Sequence, residues 1–267
     1  MFESGDTARA STSSSMQSMH RAMQMLEYLA EKPMRATELA ERTSTKWATA
    51  HRTLAYLREH GFVHRDEATG LHYVGRRLFA LGSSYLSEHP LFHTGEPLMR
   101  NASDRVAGFV QIAERDAYAS IAIASVEPRN PVPSLSYANT YRPYPLHIGA
   151  RGLVLLAFAP AEFTDAYIDH YTSVEDGENA IVDAAGLHAA LEGARTSGVV
   201  TTDQDMTTAT TATAAPVRNV EGVVVASASV VNGRGDGHDP VVVRDVALGL
   251  ATSLSQLLGW RGKVAPR

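Results

Sequence analysis

Between residues 36 and 77 the sequence reads as two short helices, a tight turn and a hairpin rich in basic side chains, an order that leaves few folds open. The first helix, Ala36-Thr37-Glu38-Leu39-Ala40-Glu41-Arg42, is built of good helix formers and stops in Thr43-Ser44-Thr45. Those hydroxyls are expected to accept hydrogen bonds from the first amides of the next helix. The second helix is expected over about residues 46–60, ended by Gly61 in a left-handed cap. On a wheel of 100° per residue, Trp47, Ala50, Leu54 and Leu57 gather into one apolar stripe that is expected to be buried. The opposite face carries Thr45, Ala48, Thr49, Arg52 and Tyr56.

Small and hydroxyl-bearing residues around one guanidinium suit a DNA major groove roughly 12 Å wide, where Arg52 could donate a bidentate pair to guanine or clamp a phosphate. Lys46 and His51 flank that face as expected backbone contacts. Past Gly61, Phe62-Val63-His64-Arg65-Asp66 and Leu71-His72-Tyr73-Val74 are strand-like runs joined by Glu67-Ala68-Thr69-Gly70, a turn with a glycine available for positive φ. The whole is a winged helix-turn-helix, with Arg65, Arg76 and Arg77 near phosphates or a minor groove. Ahead of it, Met16, Met19, Met23, Leu26 and Ala30 recur at spacings of three and four, which predicts a supporting helix over residues 16–31 with its methionines in the core. Residues 1–15, rich in Ser, Thr and Ala, are expected to be a disordered tail.

These residues carry a family resemblance. Gln17-Ser18-Met19-His20-Arg21-Ala22, Thr37-Glu38-Leu39-Ala40, Thr49-Ala50-His51-Arg52-Thr53-Leu54, His60-Gly61-Phe62-Val63 and Tyr73-Val74-Gly75-Arg76-Arg77-Leu78 resemble the DNA-binding domain of the isocitrate lyase regulator (IclR) family of bacterial transcriptional regulators. Downstream, Pro145-Leu146-His147 with Gly152 and Leu155-Leu156-Ala157 resembles the motif that opens the family's effector domain. Gly198-Val199, Asp205, Ala214-Ala215-Pro216-Val217 and Gly222 follow in the family's order. The sequence departs from the pattern where Ser44-Thr45-Lys46-Trp47-Ala48-Thr49 replaces a Gly-Leu-Pro-Lys-Ser-Thr type segment. It departs again where Ala150-Arg151-Gly152-Leu153 lacks the usual lysine after the glycine.

Residues 76–90, with Leu78, Phe79, Leu81, Gly82, Tyr85 and Leu86 at helical spacings, read as a linker helix whose apolar side packs on its own domain or on a second subunit. From residue 91 to 262 helix and strand signals alternate. Helices are expected over 94–106, 148–159, 160–171, 184–197 and 240–258, and strands over 109–113, 118–126, 133–137, 199–202, 210–217 and 223–231. Hairpin-like pairs with helices between them predict an α+β domain on an antiparallel sheet, and the resemblance implies that it is GAF-like. With the family choosing the face, the resemblance implies an effector site of Ala150, Arg151, Thr202, Thr210, Ala212, Ser229 and Val231, with Tyr137, Tyr141 and Tyr144 enclosing a small organic acid or an aromatic acyl group. Free amides at the helix start beside Arg151 would favour a carboxylate.

The net charge of −5 divides unevenly: residues 16–90 hold ten Lys or Arg against eight Asp or Glu, and residues 91–267 hold thirteen against nineteen. The absence of cysteine excludes disulfides, thiolate nucleophiles and Cys-ligated zinc, and suits a cytoplasmic setting. The longest apolar runs are too short to span a bilayer. No cofactor, metal site or catalytic set is expected. Asp236-Gly237-His238-Asp239 reads as a turn with Asp239 capping the next helix, Asp203 and Asp205 as a solvated turn, and His147 as structural. The expected partners are operator duplex DNA, a small-molecule effector and a second copy of the chain, as a dimer or a dimer of dimers. An enzyme with an autoregulatory DNA domain, or a protein-interaction module, stays open as an alternative; the first needs a nucleophile or base in the pocket.

Overall fold

The computed structural model describes residues 6–129, 142–171, 184–203 and 210–262, and the chain divides into two units, the second beginning at His89. In the first unit, α1 (Asp6–Glu31), α2 (Ala36–Arg42) and α3 (Trp47–Glu59) precede a hairpin of β1 (Val63–Arg65) and β2 (His72–Val74), and α4 (Arg76–Glu88) follows. The α2 helix ends with Ser44 in the left-handed region at φ 49°, and the amides of Ser44 and Thr45 donate to Glu41 and Ala40. The α3 helix ends likewise: Gly61 has φ 76°, while its amide and that of Phe62 donate to Arg58 and Leu57, closing the last turn. The wing turn is held by Asp66, whose carboxylate accepts from the Thr69 hydroxyl and the Ala68 amide and is thereby held below the usual carboxylate range.

One core joins these elements: Met25, Leu29, Met34, Leu39, Ala40, Ala50, Leu54, Leu57 and Val63. Three expectations fail against it. Met16, Met19 and Met23 are each more than half exposed. Helix α1 carries apolar residues on two faces, and the stripe that faces the core is that of Met25 and Leu29, about 120° from the stripe that the spacing selected. Trp47 is 56% exposed instead of buried. It opens α3, and side chains tilt toward a helix N-terminus, so its indole points past the core and stacks on His51 at 5.0 Å. The Thr43 and Thr45 hydroxyls do not cap α3: they donate backwards, to the carbonyls of Leu39 (2.7 Å) and Thr43 (3.0 Å), and Lys46 is an N-cap without a side-chain bond. Helix α1 also begins at Asp6, inside the stretch expected as a tail. Extending a formed helix costs far less than nucleating one, so weak helix formers can be carried along.

In the second unit, α5 (Pro90–Val106) leads into β3 (Phe109–Asp116), β4 (Ala119–Val126), β5 (Tyr144–Pro145), α6 (Gly149–Ala157), α7 (Ala161–Tyr171), α8 (Ala184–Ser197), β6 (Val200–Asp203), β7 (Thr210–Arg218), β8 (Val224–Gly233) and α9 (Pro240–Leu257). The strands form one antiparallel sheet in the order β5-β4-β3-β8-β7-β6. Helix α5 starts four residues earlier than expected, because the His89 imidazole accepts the Leu91 amide and Pro90 supplies a preset φ at the first position. Asp239 caps α9 in the same way, its carboxylate accepting the Val241 amide at 2.9 Å. The expected strand at 133–137, with Tyr137 and Tyr141, lies outside the described residues.

Helices α5 and α9 pack on each other and on one face of the sheet, where Gly95 meets Leu254 and Ile112. Helix α6 lies on the other face. It is buried at all nine positions because α7 and α8 cover its outer side through Leu146, Leu153, Leu156, Tyr167, Leu187 and Leu191.

One stability prediction follows from β2. His72 is buried, and burial, outweighing a hydrogen bond with the Met34 backbone, holds its imidazole below the ordinary value of 6.5. The unfolded chain therefore takes up a proton that the fold resists, and this contribution to stability, full above about pH 6.5, is lost as the pH falls toward the folded value. Urea midpoints of the first unit should decline more between pH 7 and pH 5 in the wild type than in His72→Leu; parallel declines would contradict this assignment.

Candidate nucleic-acid interface and effector site

On α3 the buried residues are Ala50, Leu54 and Leu57, so the opposite face is fixed by elimination. Ala48, Arg52 and Tyr56 are exposed on it, Thr49 is half-buried at its edge, and the Tyr56 ring tilts against His60 at 4.2 Å. Thr45 and exposed Lys46 precede the helix, and His51 is exposed beside Trp47. Arg65, on the wing, is tied to Glu67 at 2.8 Å; Arg76 and Arg77 open α4 and are exposed. A helix presenting a guanidinium, a phenol and small side chains to solvent, flanked by Arg65 on the hairpin and by Arg76 and Arg77, has the donors for duplex DNA. Exposed apolar side chains accompany it on α4, which buries none of its residues and leaves Phe79 80% exposed.

The second unit brings five of the other predicted residues, Thr202, Thr210, Ala212, Ser229 and Val231, onto one sheet face. Thr202 pairs with Ala212, Ala212 with Val231, and Ala214 with Ser229, which in turn pairs with Gln111; residues opposed in antiparallel strands share a face. Thr210 has the same parity as Ala212 on β7. Helix α6 packs on this face, where Ala150 and Val154 touch Ala214, with Val200 and Ala212 beside them. The close approach at the start of α6 needs Gly152, since a Cβ there would lie 2.6 Å from the Leu146 carbonyl oxygen.

Arg151 dominates the electrostatics of that face. Only 3% exposed, it donates from Nε to Ser120 Oγ (3.2 Å), from Nη1 to Gln111 Oε1 (3.4 Å) and from Nη2 to the Arg142 carbonyl (3.4 Å), and it lies 5.1 Å from the centre of the Tyr144 ring. Burial pushes its guanidinium down to about 10, so it stays charged at neutral pH. Close by, Ser229 is buried and its hydroxyl makes no hydrogen bond among the described residues. The amide of Ala150, expected to be open to a ligand, donates instead to Thr202 Oγ1 at 3.1 Å, so Thr202 secures the helix start. Sequence reasoning missed Gln111 and Ser120; the visible signal was a glutamine inside the apolar strand Phe109-Val110-Gln111-Ile112-Ala113.

His147 is structural in its bonding: its amide donates to the buried Tyr167 hydroxyl (3.1 Å), which also bonds Nδ1 at 2.8 Å. Among the described residues no group of three His, Asp or Glu side chains could hold a metal ion.

Comparison with known proteins agrees with this architecture. Residues 83–235 match the family described as bacterial transcriptional regulator IclR C-terminal, and residues 10–78 match the HVO_A0261 N-terminal domain. The chain belongs to the IclR family of transcriptional regulators. It is 26% identical over 211 residues to the transcriptional regulator KipR of Bacillus subtilis, covering 79% of this chain and 83% of that one. Among solved structures, an IclR regulator from Alicyclobacillus acidocaldarius superposes with a TM-score of 0.78 at 19% identity, covering 91% of this chain and 98% of that one. An IclR homologue from Microbacterium hydrocarbonoxydans, complexed with 4-hydroxybenzoate, superposes with a TM-score of 0.70 at 25% identity, covering 90% and 99%.

Proposed function

We propose that this regulator binds a palindromic operator through the outer face of α3 and the wing, and that a small carboxylic acid, aromatic or acyl, controls it from the α6 face of the sheet. The observation that carries the DNA half is the exposed Arg52 on a helix whose other side is pinned by Ala50, Leu54 and Leu57. For the effector half it is Arg151, a cation only 3% exposed at the start of α6, beside the buried hydroxyl of Ser229. An anion of modest size would offset the cost of burying that charge. The 4-hydroxybenzoate held by the Microbacterium relative supports an aromatic acid as the first compound to try. Thr202, Thr210, Ala212, Val231 and Tyr144 shape the walls of this site.

Two copies of the chain act together in this reading, the apolar residues of α4 meeting a second copy, and the setting is cytoplasmic. No described helix is long and apolar enough to cross a membrane. An effector changes operator affinity only if it favours one arrangement of the paired DNA domains over another.

Against an operator selected from a random duplex library, Arg52→Ala should weaken binding by about 1 to 3 kcal/mol, leaving acid binding intact; wild-type affinity would overturn the assignment of α3. Arg151→Gln should lower the affinity for 4-hydroxybenzoate and related carboxylates at least tenfold in a thermal-shift titration, consistent with losing a charged hydrogen bond worth about 1.5 to 3 kcal/mol. Equal shifts in wild type and variant would place the effector elsewhere.

A further inference from the structure

Between α3 and the wing a cleft of about 550 Å3 opens, lined by Arg35, Arg58, Arg65, His51 and His72, with the Trp47 indole as one wall. No carboxylate is among its lining residues. We propose that this cleft binds a phosphate oxyanion carried on a larger body: a phosphodiester of the DNA backbone or the phosphate of a free nucleotide. The first source rests on the DNA-binding reading above, whereas the second does not.

Four observations converge on it. Trp47, His51 and Arg58 lie at i, i+4 and i+11, about 100° or more around α3 from Arg52, so an occupant of the cleft does not compete with the outer face. The charge is provisionally balanced from outside: Glu67, exposed on the wing turn, reaches Arg65 Nη1 at 2.8 Å and Arg58 Nη1 at 3.7 Å. This carboxylate holds both guanidinium groups side by side and can swing into water when a stronger anion arrives. The Nδ1 atom of His72 is buried in the lining with no hydrogen-bond partner among the described residues, and the charges of Arg65, Arg58 and His51 all act against its protonation, which marks the cleft as a region of positive potential. Finally, the volume exceeds that of a lone phosphate group, and the indole offers an apolar wall to the sugar or base attached to it.

The test uses the full chain carrying Trp260→Phe, so that Trp47 fluorescence alone reports. Pyrophosphate and AMP are titrated without DNA, and a random-sequence duplex is titrated over a salt series. Glu67→Gln should tighten whichever ligand binds by several-fold, an effect that a merely structural glutamate would not produce. Arg35→Gln with Arg58→Gln should abolish saturable pyrophosphate or AMP binding if the phosphate is free. If it belongs to DNA, the pair should flatten the slope of log K against log salt by about 0.9 per lost contact. Both arginines are exposed, so circular dichroism and melting should match the parent. Duplex binding that depends on Arg52 but keeps its slope in the double variant, with no response to pyrophosphate or AMP, would overturn the cleft and spare the DNA reading. Pyrophosphate or AMP binding without any duplex binding would do the reverse.

Discussion

Three side chains, Ala50, Leu54 and Leu57, decide which face of α3 is left to solvent. Burying the two leucines is worth about 1.5 to 3 kcal/mol each, whereas the exposed ion pairs around them contribute about 0 to 1 kcal/mol. The core therefore decides which way α3 turns, and the polar face is what remains. This is why Arg52 stays outside even though Trp47 does too. The C-terminal ends of α2 and α3 are closed by the same amide-to-carbonyl pattern, with Ser44 and Gly61 at the left-handed position, which sets where α2 and α3 stop.

In the second unit the corresponding constraint is α6, enclosed between the sheet and the α7/α8 layer. A helix with no solvent face has nowhere to put a charge cheaply, yet Arg151 sits there, bonded to Gln111, Ser120 and a carbonyl. Burying a guanidinium costs several kcal/mol, and the bonds to Ser120, Gln111 and the Arg142 carbonyl offset part of that cost. The shared parity of Thr202, Ala212, Ser229 and Val231 places hydroxyl and apolar walls around that charge.

Much of this was legible in the sequence. Spacing located α2, α3 and the wing to within a few residues, proline and aspartate announced the start of α9, and strand parity paired Thr210 with Ala212 and Ser229 with Val231, the face itself coming from the family resemblance. What failed has identifiable causes. Helix α1 carries apolar residues on two faces, so periodicity alone could not choose between the Met16 and Met25 stripes. Trp47 fits the buried stripe by angle, but a helix's first residue points beyond its partner's reach. The Thr43 and Thr45 hydroxyls had two possible acceptors or donors, and the closed end of α2 took them. Gln111 stood out as a glutamine inside an apolar strand, but its contact and that of Ser120 with Arg151 span 40 and 31 residues, which no local pattern encodes.

The central claim, that the outer face of α3 and the wing meet the duplex, is tested most directly by amide hydrogen exchange of the full chain with and without DNA at low salt. The account predicts new protection confined to residues 45–58 and 64–77 of the first unit. Protection that leaves α3 unchanged while appearing elsewhere in that unit would contradict it.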